Sequence, residues 1–234
     1  MASRPLRVLW LSKGLGPGGA ERLLVTHAAA ADPDQVSYQA AYLLAHKDHL
    51  VAELEARGVA THLLDAPRDR DLGWVPRLRR LIEQGDFDVV HAHSPVAAAS
   101  ARLVVRSIPR SRRPVFVSTE HNRWPSHARP TRMANAATFA LNDAAIAVSA
   151  EVRQSMPSPF RASTQVIVHG IDLDQVRAHR LHRDQVRAEL GVGPDEVLAV
   201  TVANFRAPKG YPDLLAAARL VADGPRRAAA SRSG

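Results

Sequence analysis

Residues 7–31, RVLWLSKGLGPGGAERLLVTHAAAA, pass from strand to glycine-rich turn to helix without a break, and they decide the fold class of the chain. Val8, Leu9, Trp10 and Leu11 form an unbroken apolar run, the signature of a parallel strand covered on both faces. Gly14, Gly16, Gly18 and Gly19 follow, and a helix is expected from Ala20 to Ala31, with Leu23, Leu24 and His27 at helical spacing. Glycines let the backbone turn tightly and approach a ligand, while the free N–H groups and positive dipole end at a helix start favour an anion. A glycine turn of this kind also serves packing alone, so phosphate contact is one of two readings. Glu21, early in the helix, suits the dipole under either.

The alternation continues along the chain. Strands are expected at 36–44, 59–64, 87–91, 115–119, 144–148 and 165–168, separated by helices at 46–57 (ending at Gly58), 74–83 (stopped by Gly85), 96–106, 131–141 and 151–156. This spacing specifies an α/β, doubly wound parallel Rossmann-like sheet, whose ligands bind at the carboxyl ends of the strands. Beyond Asp172 the texture changes to a charged helical stretch closed by Gly191 and Pro194. A strand at 197–202, a loop at 204–210 and a helix at 211–222 follow, and then a polar tail. The expected organisation is a Rossmann-like domain at 1–172, a boundary region at 173–184, the start of an incomplete second α/β domain at 185–223 and a disordered tail at 224–234. The 197–202 strand has no sheet of its own, so the segment from Leu173 on is expected to be loosely held or to need a partner supplying the rest of a sheet.

With 234 residues, 46% hydrophobic and 23% charged, the chain has the composition of a globular protein able to bury a real core. It has no cysteine, which excludes disulfides, thiolate metal sites and cysteine nucleophiles. No apolar run approaches the length of a membrane span or a signal-peptide core, so the expected location is cytoplasmic. The net charge of +8 is nearly all arginine, since Lys13, Lys47 and Lys209 are the only lysines. Arginine suits phosphate and carboxylate partners. Codon bias toward Arg, Ala, Gly and Pro produces the same balance.

Gly14, Gly16 and Gly19 satisfy G-x-G-x-x-G, yet the second strand ends in Leu43, Leu44, Ala45 and His46, with no acid to hold a ribose, which argues against a nicotinamide enzyme. A different set of segments carries more. GPGGAER (16–22), VVHAHSP (89–95), VSTEHN (117–122), AVSAEVRQSM (147–156), VIVHGID (166–172) and VANFRAPKGYPDLLAAARLV (202–221) together resemble, in order and spacing, the family 4 retaining glycosyltransferases of GT-B fold.

The resemblance implies sugar transfer from a nucleotide-diphosphate donor to the hydroxyl of a sugar or lipid-linked acceptor, without metal or cofactor. It makes the amino-terminal domain the acceptor side of a GT-B enzyme. On that likeness Gly18 and Gly19 face the donor's phosphates and sugar, His121 touches the donor sugar as the catalytic-site histidine, and Arg206 and Lys209 neutralise the diphosphate. The chain has His169 where the family usually has Asn, and Ala203 and Asn204 where it usually has a Gly-Arg pair. The family's donor loop with two glutamates would lie downstream of Val221, so a truncated transferase, weak or inactive alone, is expected.

His91 and His93 share a strand face, with structural or acceptor-lining roles, and Asn122 joins them as an acceptor-side candidate. No carboxylate or third histidine lies close by in sequence to complete a metal site. Ser94 lacks a nucleophile elbow. Arg68, Arg70, Arg77, Arg79 and Arg80 surround Trp74, and Arg123, Arg129 and Arg132 surround Trp124. Such clusters fit either peripheral contact with an anionic membrane at its inner face, or solvated helix faces with the tryptophans in the core. Nucleic acid is not expected: aromatics are only 5%, and no helix-turn-helix or RNP-like segment occurs. A non-catalytic anion- or membrane-binding module is the alternative to the enzyme.

Overall fold

The structure, a computed structural model, describes residues 4–66, 71–203, 205 and 207–223. It divides into two compact units, Met1–Leu173 and Asp174–Gly234. The first holds β1 (Leu6–Ser12), α1 (Gly19–Ala30), β2 (Val36–Tyr42), α2 (Val51–Glu55), β3 (Ala60–Leu63), α3 (Trp74–Gly85), β4 (Val89–Ala92) and α4 (Pro95–Ser107). It continues with β5 (Val115–Glu120), α5 (Arg129–Thr138), β6 (Ala144–Ala147), α6 (Ala150–Gln154), α7 (Ser158–Ala162) and β7 (Thr164–Val166). All seven strands pair in parallel in the order β3-β2-β1-β4-β5-β6-β7. The order reverses between β1 and β4, and the crevice beyond their carboxyl ends is where such sheets bind ligands.

The opening apolar run fills both faces of the sheet. Leu9 and Leu11 pack with Trp74, Leu78 and Ile82 of α3 and Ala97, Ala101 and Val105 of α4. Val8 and Trp10 pack on the opposite side with Leu24, Val25 and Leu54. At the amino ends of the strands two aspartates repeat one device. Asp88, just before β4, accepts from Arg7 N at 2.8 Å, and Asp143, just before β6, accepts from Phe116 N at 2.8 Å. Each satisfies a backbone donor at the start of the neighbouring strand, where an unpaired N–H would be costly. The bidentate Arg4–Asp88 contact, at 2.7 Å for each bond, holds that carboxyl below the usual carboxylate range.

Two expectations fail. The helix expected over 46–57 shrinks to Val51–Glu55. Residues 44–50 are instead tied to the glycine turn: Leu44 N bonds Lys13 O (3.1 Å), Leu15 N bonds Lys47 O (2.7 Å) and Leu50 N bonds Leu15 O (2.9 Å). These long-range bonds, closed around the fully buried Leu15, replace the local helical ones. Gly58, at φ +78°, still ends the segment.

The second failure lies in the second unit. There α8 (Leu173–Ala178), a 3₁₀ turn (His179–His182), α9 (Arg183–Glu189) and α10 (Tyr211–Asp223) form, with Gly191 at φ +65° closing α9. The strand expected at 197–202 does not form. Among the described residues it has no partner strand, and a strand exists only as part of a ladder. Val197 is 96% and Val202 93% exposed, and none of the described residues from 174 on is buried.

Candidate functional site

Three strand ends converge on the crevice. β1 leads into the glycine turn, β4 into His93 and β5 directly into His121. The sheet register sets β4 beside β1 and β5, with His91 opposite Trp10 on one side and Val117 on the other. His93 N bonds Leu11 O at 2.8 Å, which fixes the chain just past β4.

The histidines form a contiguous array. Ring centroids are 4.1 Å apart for His91–His93, 5.4 Å for His93–His121, 5.5 Å for His121–His169 and 5.9 Å for His169–His27. The His121 and His169 rings are nearly parallel, at 11°. His91 Nε2 lies 2.8 Å from Thr119 Oγ1, and His93 Nδ1 lies 3.1 Å from His121 Nε2. His93 and His169 each keep a buried Nε2 with no hydrogen-bond partner among the described residues.

This array is neutral at physiological pH. Burial, and then the field of His121, pushes His91 down to about 4, while burial and His169 do the same for His121. His93 is pushed well below its ordinary value by burial and then by His91, and His27 and His169 are lowered mainly by burial. Taking several imidazoles out of water side by side disfavours the charged form of each. What remains is a row of neutral donors and acceptors, suited to an uncharged polyhydroxylated ligand. No group of three His, Cys, Asp or Glu among the described residues has metal-holding geometry.

On the side of β5 that meets α4 and α5 sits a buried polar network. Arg102 of α4 is fully buried and donates to Asn142 Oδ1 (2.8 Å), Asn135 Oδ1 (2.5 Å), Thr138 Oγ1 (3.1 Å) and Ser118 Oγ (3.2 Å). Asn135 in turn donates to Glu120 Oε1 at 2.8 Å, and His127 Nε2 stands 3.4 Å from Glu120 Oε2. Burial pulls Arg102 down to about 10, with Glu120 opposing, so it stays charged near neutrality. The network anchors the end of β5, and so the residue that follows it.

The other singled-out residues fall as follows. Gly18 is the N-cap of the twelve-residue α1 and Gly19 its first residue, and the cap supplies no side-chain hydrogen bond. A Cβ at Gly19 would meet nothing within 4 Å, whereas one at Gly18 would run into the Glu21 carboxylate. Gly14, grouped with them in the motif, has a packing role: a Cβ there would stand 2.6 Å from Lys47 Cβ. Asn122 is exposed just past His121. Lys209 is exposed at the end of a 3₁₀ turn (Ala207–Lys209) of the second unit, and Arg206 lies outside the described residues.

The premise of an exposed aromatic in the arginine clusters is overturned. Trp74 and Trp124 are 3% and 6% exposed and belong to apolar clusters. Arg77 donates to the Leu64 and Asp65 carbonyls, Arg79 pairs with Glu83 and Arg123 with Glu151, while Arg68 and Arg70 lie outside the described residues. No helix among the described residues is long and apolar enough to cross a membrane.

The family profile described as Glycosyltransferase Family 4 matches residues 13–175, most of the chain. The chain belongs to Glycosyltransferase Family 4. This family 4 chain is 30% identical over 177 residues to D-inositol 3-phosphate glycosyltransferase 1 of Catenulispora acidiphila, covering 66% of itself and 41% of that relative. Its fold is similar to a glycosyltransferase from Rickettsia africae (TM-score 0.72, 15% identity, covering 94% of this chain and 58% of that one). It is also similar to Anabaena Alr3699/HepE, whose structure holds UDP and glucose (TM-score 0.61, 18% identity, covering 80% and 50%). The family 4 chain thus spans about half the length of these relatives. Membership speaks against the nicotinamide-enzyme reading.

His27 and His169 are the site residues that sequence reasoning passed over. His27 was visible only as a helical-face residue and His169 only as a departure from the family's usual Asn. Neither signal places them beside His121.

Proposed function

We propose that the first unit is the acceptor-side domain of a retaining glycosyltransferase that takes its sugar from a nucleotide diphosphate. The observation that carries this reading is His121. It lies directly past the end of β5 over the β1/β4 crevice, neutral, with Nδ1 making no hydrogen bond among the described residues. His121 orients the donor sugar by hydrogen bonding. A neutral imidazole with so low a pKa is a poor general base near pH 7.

The uncapped start of α1 supplies N–H groups and a positive dipole end for the diphosphate, with Gly19 leaving space for close approach. In the second unit, Lys209 is the residue to which the family likeness gives a basic role toward a diphosphate, with Arg206 as its companion. In the transfer, the bond from the anomeric carbon to the diphosphate oxygen breaks, the acceptor oxygen bonds that carbon on the same face, and the acceptor proton passes to the departing diphosphate oxygen. Preorganised N–H donors and cations stabilise the negative charge that develops there. The acceptor is a sugar or lipid-linked hydroxyl. The relative's inositol phosphate and the UDP and glucose of the Anabaena protein make polyol phosphates and uridine-diphosphate sugars the first compounds to try.

The test is transfer from a panel of nucleotide sugars, with this chain and with a form in which a family carboxyl-terminal domain follows Val221. The expected result is turnover with retained anomeric configuration, reduced about 100-fold or more by His121→Ala and by Lys209→Ala. Inverted product, or turnover indifferent to both substitutions, would overturn the reading.

A further inference from the structure

We infer that His93 is a positioning residue that fixes His121 in its Nδ1–H tautomer, so that His121 presents an N–H donor, not a lone pair, to the crevice. His93 Nδ1 and His121 Nε2 are 3.1 Å apart, and His93 Nε2 is buried with no partner among the described residues. A hydrogen bond between two neutral imidazoles holds a single proton, and each neutral ring carries one N–H in all.

Only two arrangements satisfy those counts. If His121 Nε2–H donates, His93 must carry its own proton on Nε2, burying an N–H that reaches no acceptor. If His93 Nδ1–H donates, the orphaned atom is only a lone pair, and the proton of His121 moves to Nδ1. Orphaned buried N–H groups are rarer in native proteins than under-satisfied acceptors, and the second arrangement avoids one. It also puts a donor on the nitrogen of His121 that has no hydrogen-bond partner among the described residues.

The surroundings hold the pair in place. His93 is bound through its backbone N–H to Leu11 O, while the Nε2 of its neighbour His91 is engaged by Thr119 Oγ1. The parallel His169 ring covers one side of His121. Burial keeps the array uncharged, so neither ring escapes the choice by taking a second proton. The ligand atom that meets His121 is therefore an acceptor oxygen. On the function proposed above, on which this last step rests, it is a hydroxyl oxygen of the donor sugar.

The experiment is long-range ¹H–¹⁵N correlation of the histidine rings in ¹⁵N-labelled protein near pH 7.5, with His121 assigned by the signals lost in His121→Gln. The expected spectrum shows a protonated Nδ1 and a bare Nε2 for His121, with the converse pattern overturning the proposal. In His93→Leu the His121 proton should shift mainly to Nε2, the form that imidazole side chains favour in water. In His93→Asn, whose amide can still donate to His121 Nε2, it should stay on Nδ1. An unchanged His121 pattern in a folded His93→Leu protein would overturn the idea. Should His93→Leu fail to fold, the wild-type spectrum and the Asn variant still decide. No sugar enters this measurement, so it fails or stands separately from the transfer assay.

Discussion

Each buried imidazole of the array has an unfolded-state pKa near 6.5 and a lower folded one. Between the two values the unfolded chain binds more protons, so stability is complete above about pH 6.5 and declines as pH falls toward 4. For His91 and His121 the loss on going from pH 7 to pH 5 should be about 2 kcal/mol each, measurable by urea unfolding at the two pH values. A flat profile would mean that the rings are hydrated. The glycines separate by the same kind of local reading. Gly14→Ala would drive a Cβ into Lys47, whose carbonyl is held by Leu15 N, and should cost about 1–3 kcal/mol. Gly19→Ala should change stability by no more than about 0.5 kcal/mol, since its Cβ enters open space. Any loss of nucleotide-sugar affinity in the Gly19→Ala variant would then report ligand contact. In the sequence these glycines look alike; only the position of Lys47 distinguishes packing from ligand space.

Arginine, abundant enough to look like an anion-binding surface, turns out at the level of elements to be partly a fastening. Arg113 donates to the Arg106 and Ile108 carbonyls at the carboxyl end of α4, and Arg106 donates to Leu141 O and Asp143. The orphan carbonyls of a helix end are thereby satisfied, with the charge placed where the dipole favours it. Arg102 joins α4 to α5 and to β5 through Ser118, Asn135 and Thr138. Arg102→Leu should therefore cost roughly 3–5 kcal/mol, because it leaves the buried Asn135, Thr138 and Ser118 side chains without the guanidinium that they bond. Chemical denaturation measures it, and a change under 1 kcal/mol would show that water replaces the guanidinium. Most strands and helices were legible from period and punctuation, since apolar alternation is a local property. The 46–57 helix and the 197–202 strand were misread for opposite reasons. The first was overridden by distant backbone partners, and the second had none.

For the molecule as a whole, the two units differ in what holds them. Residues up to 173 surround two apolar layers on either side of a seven-stranded sheet, whereas no described residue from 174 on is buried. Local opening is cheap where few apolar contacts must be broken. Limited trypsin digestion should cut first at the exposed Arg177, Arg180 and Arg183, leaving a fragment that ends near residue 177 and outlasts the rest. Equal resistance of both parts would mean that the second unit is better held than its burial implies.

The sequence by itself determined the parallel α/β class, the glycine turn at its switch point, the family, and the strand ends on which His91, His93 and His121 stand. All of these follow from near neighbours in the chain, through period, turn chemistry and motif order. Only the tertiary structure decided that His27 and His169 join those three rings, that Arg102 ties α4 to α5 and β5, that the tryptophans are interior and that Gly14 yields to Lys47. Each of those is a meeting of residues far apart in sequence, and such meetings are set by how the sheet twists and its crossovers pack, which no local pattern records.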